Sequence, residues 1–216
     1  MVSTVRKGVL TGIVLSQFMC TSVWFAVNAV MPQIRASFQL SDDYLTHLTS
    51  MVQFGFICGT LLFAVFTVAD RFSPAKVFFA CSLAAAFFNL GSLWTAMGSG
   101  GLLTARFGVG FFLAGIYPVG RKIASDFYQE GLGRSLGYLV GALVLGRAFP
   151  HFLSSFSGDL SWQWVVYGTS FLSVAGGCIM LWAVGDGPYR TKSKGLQLNA
   201  FFVVFKKLSF RKAAFG

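Results

Sequence analysis

Six runs of predominantly apolar residues, at roughly 8–33, 46–69, 76–97, 101–123, 135–156 and 163–185, follow one another with only short polar breaks. Each is near the length of about 20 residues that a helix needs to cross a bilayer. In hydrocarbon every backbone N–H and C=O must be satisfied within the protein, so runs of this kind fold as helices. Only 11% of the residues are charged and the mean hydropathy is +0.68. A soluble domain carries roughly 25% charged residues, and this chain lacks the polar surface to clothe so large a core. The reading is an all-α membrane protein: a six-span bundle over residues 1–185 and a polar tail over 186–216.

The charges between the runs set the orientation. With the N-terminus inside, Arg6, Lys7, Arg71, Lys76, Arg121, Lys122 and Arg134 all fall on cytoplasmic connections, as do Arg190, Lys192 and Lys194 after span six. The opposite side receives Arg35, with Asp42, Asp43 and Asp159. That asymmetry obeys the positive-inside rule and places both termini in the cytoplasm. It also accounts for the net charge of +10 without a nucleic-acid partner, which would need basic residues gathered on one polar face. The tail turns amphipathic at Leu198, Phe201, Phe202, Phe205 and Leu208 with Lys206, Lys207, Arg211 and Lys212 behind them, a pattern that suits the headgroup layer. Spans three and four are separated by "MGSGG", read as a tight turn between antiparallel helices. Cys20, Cys58, Cys81 and Cys178 lie in different runs without metal-binding spacing and read as small buried hydrophobes. No metal site or cofactor is expected.

The short loop after span two, "FTVADRFSPAKVFF", resembles a signature of the major facilitator superfamily, roughly G-x-x-x-D-R-x-G-R-K. Asp70 and Arg71 fall in place, Lys76 comes one residue late, and Phe66 and Ser73 stand where the family has glycines. Span four carries Leu102-Leu103-Thr104-Ala105-Arg106-Phe107-Gly108-Val109-Gly110, similar to L-x-x-x-R-x-x-Q-G with Val109 for Gln. Span five carries Gly137, Gly141 and Gly146 in a run like G-x-x-x-G-P-x-x-G-G. Asn28-Ala29-Val30-Met31-Pro32 resembles the end of the N-x-A-L-P motif of drug antiporters, but the position of their aspartate is Val23. The resemblance implies half of the family's architecture: members usually have two six-helix halves, each of inverted three-helix repeats, that rock to give alternating access.

From these readings come the candidate residues. Asp70, Arg71, Lys76 and Asp126 form a cytoplasmic gating cluster, with Asp70 able to accept from a helix N-terminus and Arg71 expected to pair with Asp126. Arg106 sits several residues inside span four, where an arginine costs roughly 2.5–3.5 kcal/mol on insertion scales and so faces the bundle interior or a wet cavity. Arg147 lies near the outer end of span five. With Trp24, Asn28, Gln53 and Tyr117, and Gln17 as a further polar candidate, they mark a solute pathway. Gly108, Gly110, Gly137, Gly141 and Gly146 are expected at close helix contacts. No carboxylate lies inside a span, which argues against a proton relay in this chain and points to a small solute with an anionic group. Intramembrane proteolysis would need a Ser or Asp nucleophile with partners at depth, but the spans carry no acid, His47 and His151 lie near the outer ends and no GxSG precedes a helix; aquaporin-type NPA half-helices and a Walker motif are also missing. The expected protein is a secondary transporter, one half of which is this chain. The rival is a half-size or truncated form, inactive alone or completed by a second copy or a separate second half.

Overall fold

A computed structural model describes residues 8–41, 43–128, 131–156 and 161–191. Among them the only regular structure is helical. The amphipathic tail expected over 198–212 lies outside the described residues. Five helical segments are long and apolar enough to cross a membrane, and a bent pair makes a sixth.

Span one is that bent pair. Helix α1 (Val9–Thr21) tightens into a 3₁₀ turn at Ser22–Phe25, and a second at Asn28–Val30 leads into α2 (Met31–Phe38). The two limbs meet at 48°. Pro32 explains part of the break: it offers no N–H to the Asn28 carbonyl, which is taken instead by Met31 in a tighter turn. Span two is α3 (Tyr44–Val65), followed by the short α4 (Val68–Arg71). The turn into α4 puts Thr67 at φ +48°, the left-handed region that glycine tolerates best.

Span three is α5 (Pro74–Gly91), opened by Ser73, whose Oγ accepts from the Lys76 N–H, and by Pro74 in the first turn. Span four is α6 (Gly98–Leu113) and α7 (Tyr117–Phe127), joined through a 3₁₀ stretch just before Pro118. Here the "MGSGG" expectation is corrected. The turn occupies Leu93–Met97, and Gly98 to Gly101 already form the first turn of α6. Only Gly98 uses glycine's freedom there, at φ +64°. Spans five and six are α8 (Leu132–Phe156) and α9 (Gln163–Cys178), the latter running on into a π-helical turn at Ile179–Val184.

Two of the contacts that hold the bundle differ in kind. Helices α3 and α6 touch backbone to backbone: a methyl group at Gly55, Gly59 or Gly110 would overlap the carbonyl of Phe107, Phe111 or Val52 respectively. Lipid gives helices no hydrophobic reason to associate, so such close small-residue contact supplies the attraction. Helices α5 and α9 instead share a polar seam. Asn89 Nδ2 donates to the Val166 carbonyl, Thr169 Oγ1 and Ser170 Oγ, and Ser173 donates to the Ser82 carbonyl at 3.0 Å. Gly146 lets α8 approach α1 at Thr21 and Phe18, and Gly108 faces the Phe88 ring. Gly137 and Gly141 were expected at such contacts too, but a methyl group at either would meet nothing within 4 Å. They lie on open helix surface.

Candidate functional site

The break in span one is held open from span four. Arg106 of α6 is completely buried, and its guanidinium donates to the main-chain carbonyls of Val23 and Trp24 in the 3₁₀ turn, the first at 3.3 Å. In a continuous α-helix those carbonyls would bond the N–H groups four residues on. Arg106 takes their place and so fixes where span one unwinds.

Trp24, itself 1% exposed, is gripped on its ring as well. The Phe56 ring lies 4.9 Å away and the Arg147 guanidinium carbon 3.7 Å from the indole centroid. Arg147 reaches that position because the preceding residue is Gly146, which brings α8 against α1. The Trp24 Nε1 and the Arg147 Nε are sealed from solvent and have no acceptor among the described residues. One turn further on, Asn28 Nδ2 donates to Thr49 Oγ1 at 2.7 Å, tying the break to α3; the Asn28 Oδ1 is left without a donor. The group is therefore rich in N–H donors and holds two cations. All described carboxylates (Asp43, Asp70, Asp126 and Asp186) lie at helix ends or connections, away from it.

A second cluster lies at the Asp70 end of the bundle. Lys122 on α7 reaches Asp70 at 3.0 Å and Asp126 at 3.3 Å. Beneath the Asp70–Lys122 pair opens a cavity of about 350 Å³ whose lining includes Thr60, Phe63, Thr67 and Pro118. The segment after span six straps across this end. Asp186 Oδ1 accepts from Ser73 Oγ at 2.9 Å and from the Ala75 N–H at 3.0 Å, so it caps α5. Arg190 pairs with Asp186 at 2.9 Å and donates to the Phe72 carbonyl at 2.7 Å. The Tyr189 N–H donates to the Asp126 carbonyl, and Gly187 lies so close to that residue that a methyl group there would overlap its backbone.

Set beside this geometry, the Major Facilitator Superfamily model matches residues 13–215. The chain belongs to the Major Facilitator Superfamily. No curated protein matches it. It is accordingly a multi-pass membrane protein and a transporter of the major facilitator type.

The predicted residues of this facilitator divide unevenly between the two clusters. Trp24, Asn28, Arg106 and Arg147 come together around the break. Tyr117 is half-buried at the start of α7 with Arg121 over its ring at 5.8 Å. Gln53 stands apart, exposed on α3 beside Phe54. Gln17 is fully buried against Gly120, its amide without partners among the described residues. At the other end Asp70 and Asp126 do meet, through Lys122. The expected Arg71–Asp126 pair does not form. Lys122 is on the same helix as Asp126, one turn away, and claims it, while Arg71 ends the short α4 facing out. Lys76 is likewise exposed, contributing only its backbone N–H.

Lys122, Asp186 and Arg190 are the residues that sequence reasoning left out of this cluster. Their signal was available as opposite charges four residues apart, Lys122–Asp126 and Asp186–Arg190, a spacing that puts both on one helical face or turn. The Gly55–Gly59 pair likewise shows small-xxx-small spacing. Among the described residues no group of three or more His, Cys, Asp and Glu is placed to hold a metal ion.

Proposed function

We propose that this facilitator chain moves a small solute with an anionic group by alternating access, as the N-terminal six-helix half of the transporter, two inverted three-helix repeats in an inner membrane with both termini cytoplasmic. The observation that carries the anionic reading is Arg147, gathered with the carbonyl-bound Arg106 around Trp24 with no carboxylate nearby among the described residues. A charge at membrane depth normally finds a partner, and a solute anion supplies the one missing here. The cytoplasmic orientation of the Asp70 end is supported by Arg71, Lys76, Arg121, Lys122, Arg134 and Arg190, all on that side.

The Asp70–Lys122–Asp126 cluster is the gate. A network of ion pairs at one end of the bundle has two arrangements, made and broken, and can therefore bias a rocking motion. Replacing Asp70 with Asn in the reconstituted transporter should change transport rates; unaltered rates would remove the gating role.

The partner is a second six-helix body. Helices α3 and α8 have only 22% of their apolar windows buried, against 61% for span four, and expose Ile57, Leu61, Val144 and Leu145. A C-terminal half carried on the same or a separate chain fits these faces, and so does a second copy of this chain, which is the form the half-size reading takes. The test is reconstitution of the chain, alone and with any further spans encoded in frame, in proteoliposomes offered labelled phosphate, succinate and an uncharged sugar. Uptake of an anion is expected. Selective uptake of the sugar would overturn the anionic reading, and a dimer in detergent that transports alone would establish the second copy as the partner.

A further inference from the structure

The two buried arginines do different work, and only one of them is available to a solute. Arg106 spends its guanidinium on the Val23 and Trp24 carbonyls and has no exposed surface. Its charge is offset by the carbonyl dipoles, and its role is to position the turn that carries Trp24. Arg147 shares an unpartnered Nε with Arg106 but differs in exposure and in what its guanidinium meets. Its guanidinium lies over the Trp24 ring at 3.7 Å, its Nε has no acceptor among the described residues, and it is only half-buried.

We infer that Arg147, held against the Trp24 indole, is the anchor for an oxyanion, a carboxylate or phosphate group gripped edge-on by two parallel N–H···O bonds. The inference rests on the anionic reading above and gives it a residue and a shape.

Stacking decides the geometry. A guanidinium over an aromatic face loses that face to the ring and keeps its in-plane N–H fork free, and that fork matches the two oxygens of a carboxylate or phosphate. The same stacking removes rotational freedom from a long side chain, so less is lost when the anion is bound. The Trp24 Nε1, on the ring that Arg147 covers, is buried and without an acceptor among the described residues, and is a neutral donor for the rest of the solute. Trp24 thereby links the two arginines: Arg147 meets its ring, Arg106 its carbonyl. An anion drawn to Arg147 therefore acts on the residue at which span one bends.

The test is ligand-dependent thermal stability of the purified chain in lipid nanodiscs. It is titrated separately with inorganic phosphate and succinate, with chloride and glycerol as controls. Wild type should show a saturable rise in melting temperature with at least one oxyanion and with neither control. Phosphate alone would identify a phosphoryl group, succinate alone a carboxylate. Arg147→Lys, which keeps the charge and loses the fork, should weaken the apparent affinity by about tenfold, the worth of one charge-assisted hydrogen bond. Arg147→Gln should abolish the rise. Arg134→Gln, the same change of net charge at the far end of α8, should leave it intact. Wild-type affinity in both Arg147 variants would overturn this inference and leave the anionic reading standing. No response to either oxyanion in the wild type would overturn both.

Discussion

At the Asp70 end of the bundle charges of both signs meet, Lys122 between two aspartates and Arg190 on Asp186, whereas around the break in span one the described charges are all positive. Both clusters sit where a helix is interrupted, and both tie together segments far apart in sequence. The difference lies in what completes them. In the Asp70 cluster Lys122 and Arg190 each have a carboxylate partner among the described residues, which is what the proposed latch requires, while the buried Asp126 Oδ2 has no donor there. In the Trp24 cluster both arginine Nε atoms lack an acceptor among the described residues, but the terminal nitrogens of Arg106 are taken by main-chain carbonyls, whereas the Arg147 guanidinium lies over the Trp24 ring. On the proposed reading, this difference in charge separates a latch from a site that receives an anion.

The sharpest way to break that comparison is at Arg106. Arg106→Ala leaves the Val23 and Trp24 carbonyls buried without donors, each worth about 1–3 kcal/mol, while relieving the arginine of its own desolvation. The expected net loss is about 3 kcal/mol, read as a lower melting temperature, together with loss of transport. Arg106→Lys keeps the charge and can serve one carbonyl, so it should fall between. A stable, active alanine variant would mean that the break forms without Arg106.

Next in size is Lys122. Lys122→Met leaves Asp126 buried beside Asp70 without the lysine that pairs with both, at a cost of about 2 kcal/mol for a partly buried pair. The double variant Lys122→Met with Asp126→Asn should recover most of that loss, because the stranded charge is gone. Recovery is the informative result, since simple loss of packing at position 122 would not be repaired at 126.

These two clusters were legible to very different degrees. The succession of apolar spans, five or six by length and composition, could be read because lipid leaves no alternative to long apolar helices, and the family could be read from short motifs on those spans. The depth of Arg106 was equally visible. Its partners were not, because main-chain carbonyls have no residue identity and the break that exposes them leaves only Pro32 as a trace. At the Asp70 end the error was one of choice among many basic residues. Arg71 stands next to Asp70 in sequence, but α4 is a single turn that points it outward, while Lys122 arrives from span four. The glycines divide for a similar reason: Gly137 and Gly141 have the spacing for a close contact and no helix opposite them among the described residues, whereas Gly55 and Gly59 have both.

A smaller effect is expected at the strap. Asp186→Asn weakens the cap on α5 and the hold on Arg190, groups that are partly exposed, so the loss should be about 1 kcal/mol. Its readout is local: trypsin cleavage after Arg190 should speed up by roughly fivefold, the population change that 1 kcal/mol produces. An unchanged cleavage rate would show that the Tyr189–Asp126 backbone contact holds the strap by itself.

Salt separates the two regions with the least perturbation. The Debye length shrinks from about 10 Å at 0.1 M to about 3 Å at 1 M, and screening acts on accessible charges far more than on buried ones. The side chains of Lys122 and Asp70 are 20% and 39% exposed, while Arg106 is fully buried. The stability difference between wild type and Lys122→Met should therefore shrink in high salt, by about 0.5 kcal/mol. The difference between wild type and Arg106→Ala should not move, since what it measures is hydrogen bonding to carbonyls out of reach of mobile ions. If both differences shrank together, Arg106 would be in contact with water and ions, and the division between a latch open to solvent and a sealed positioning residue would have to be given up.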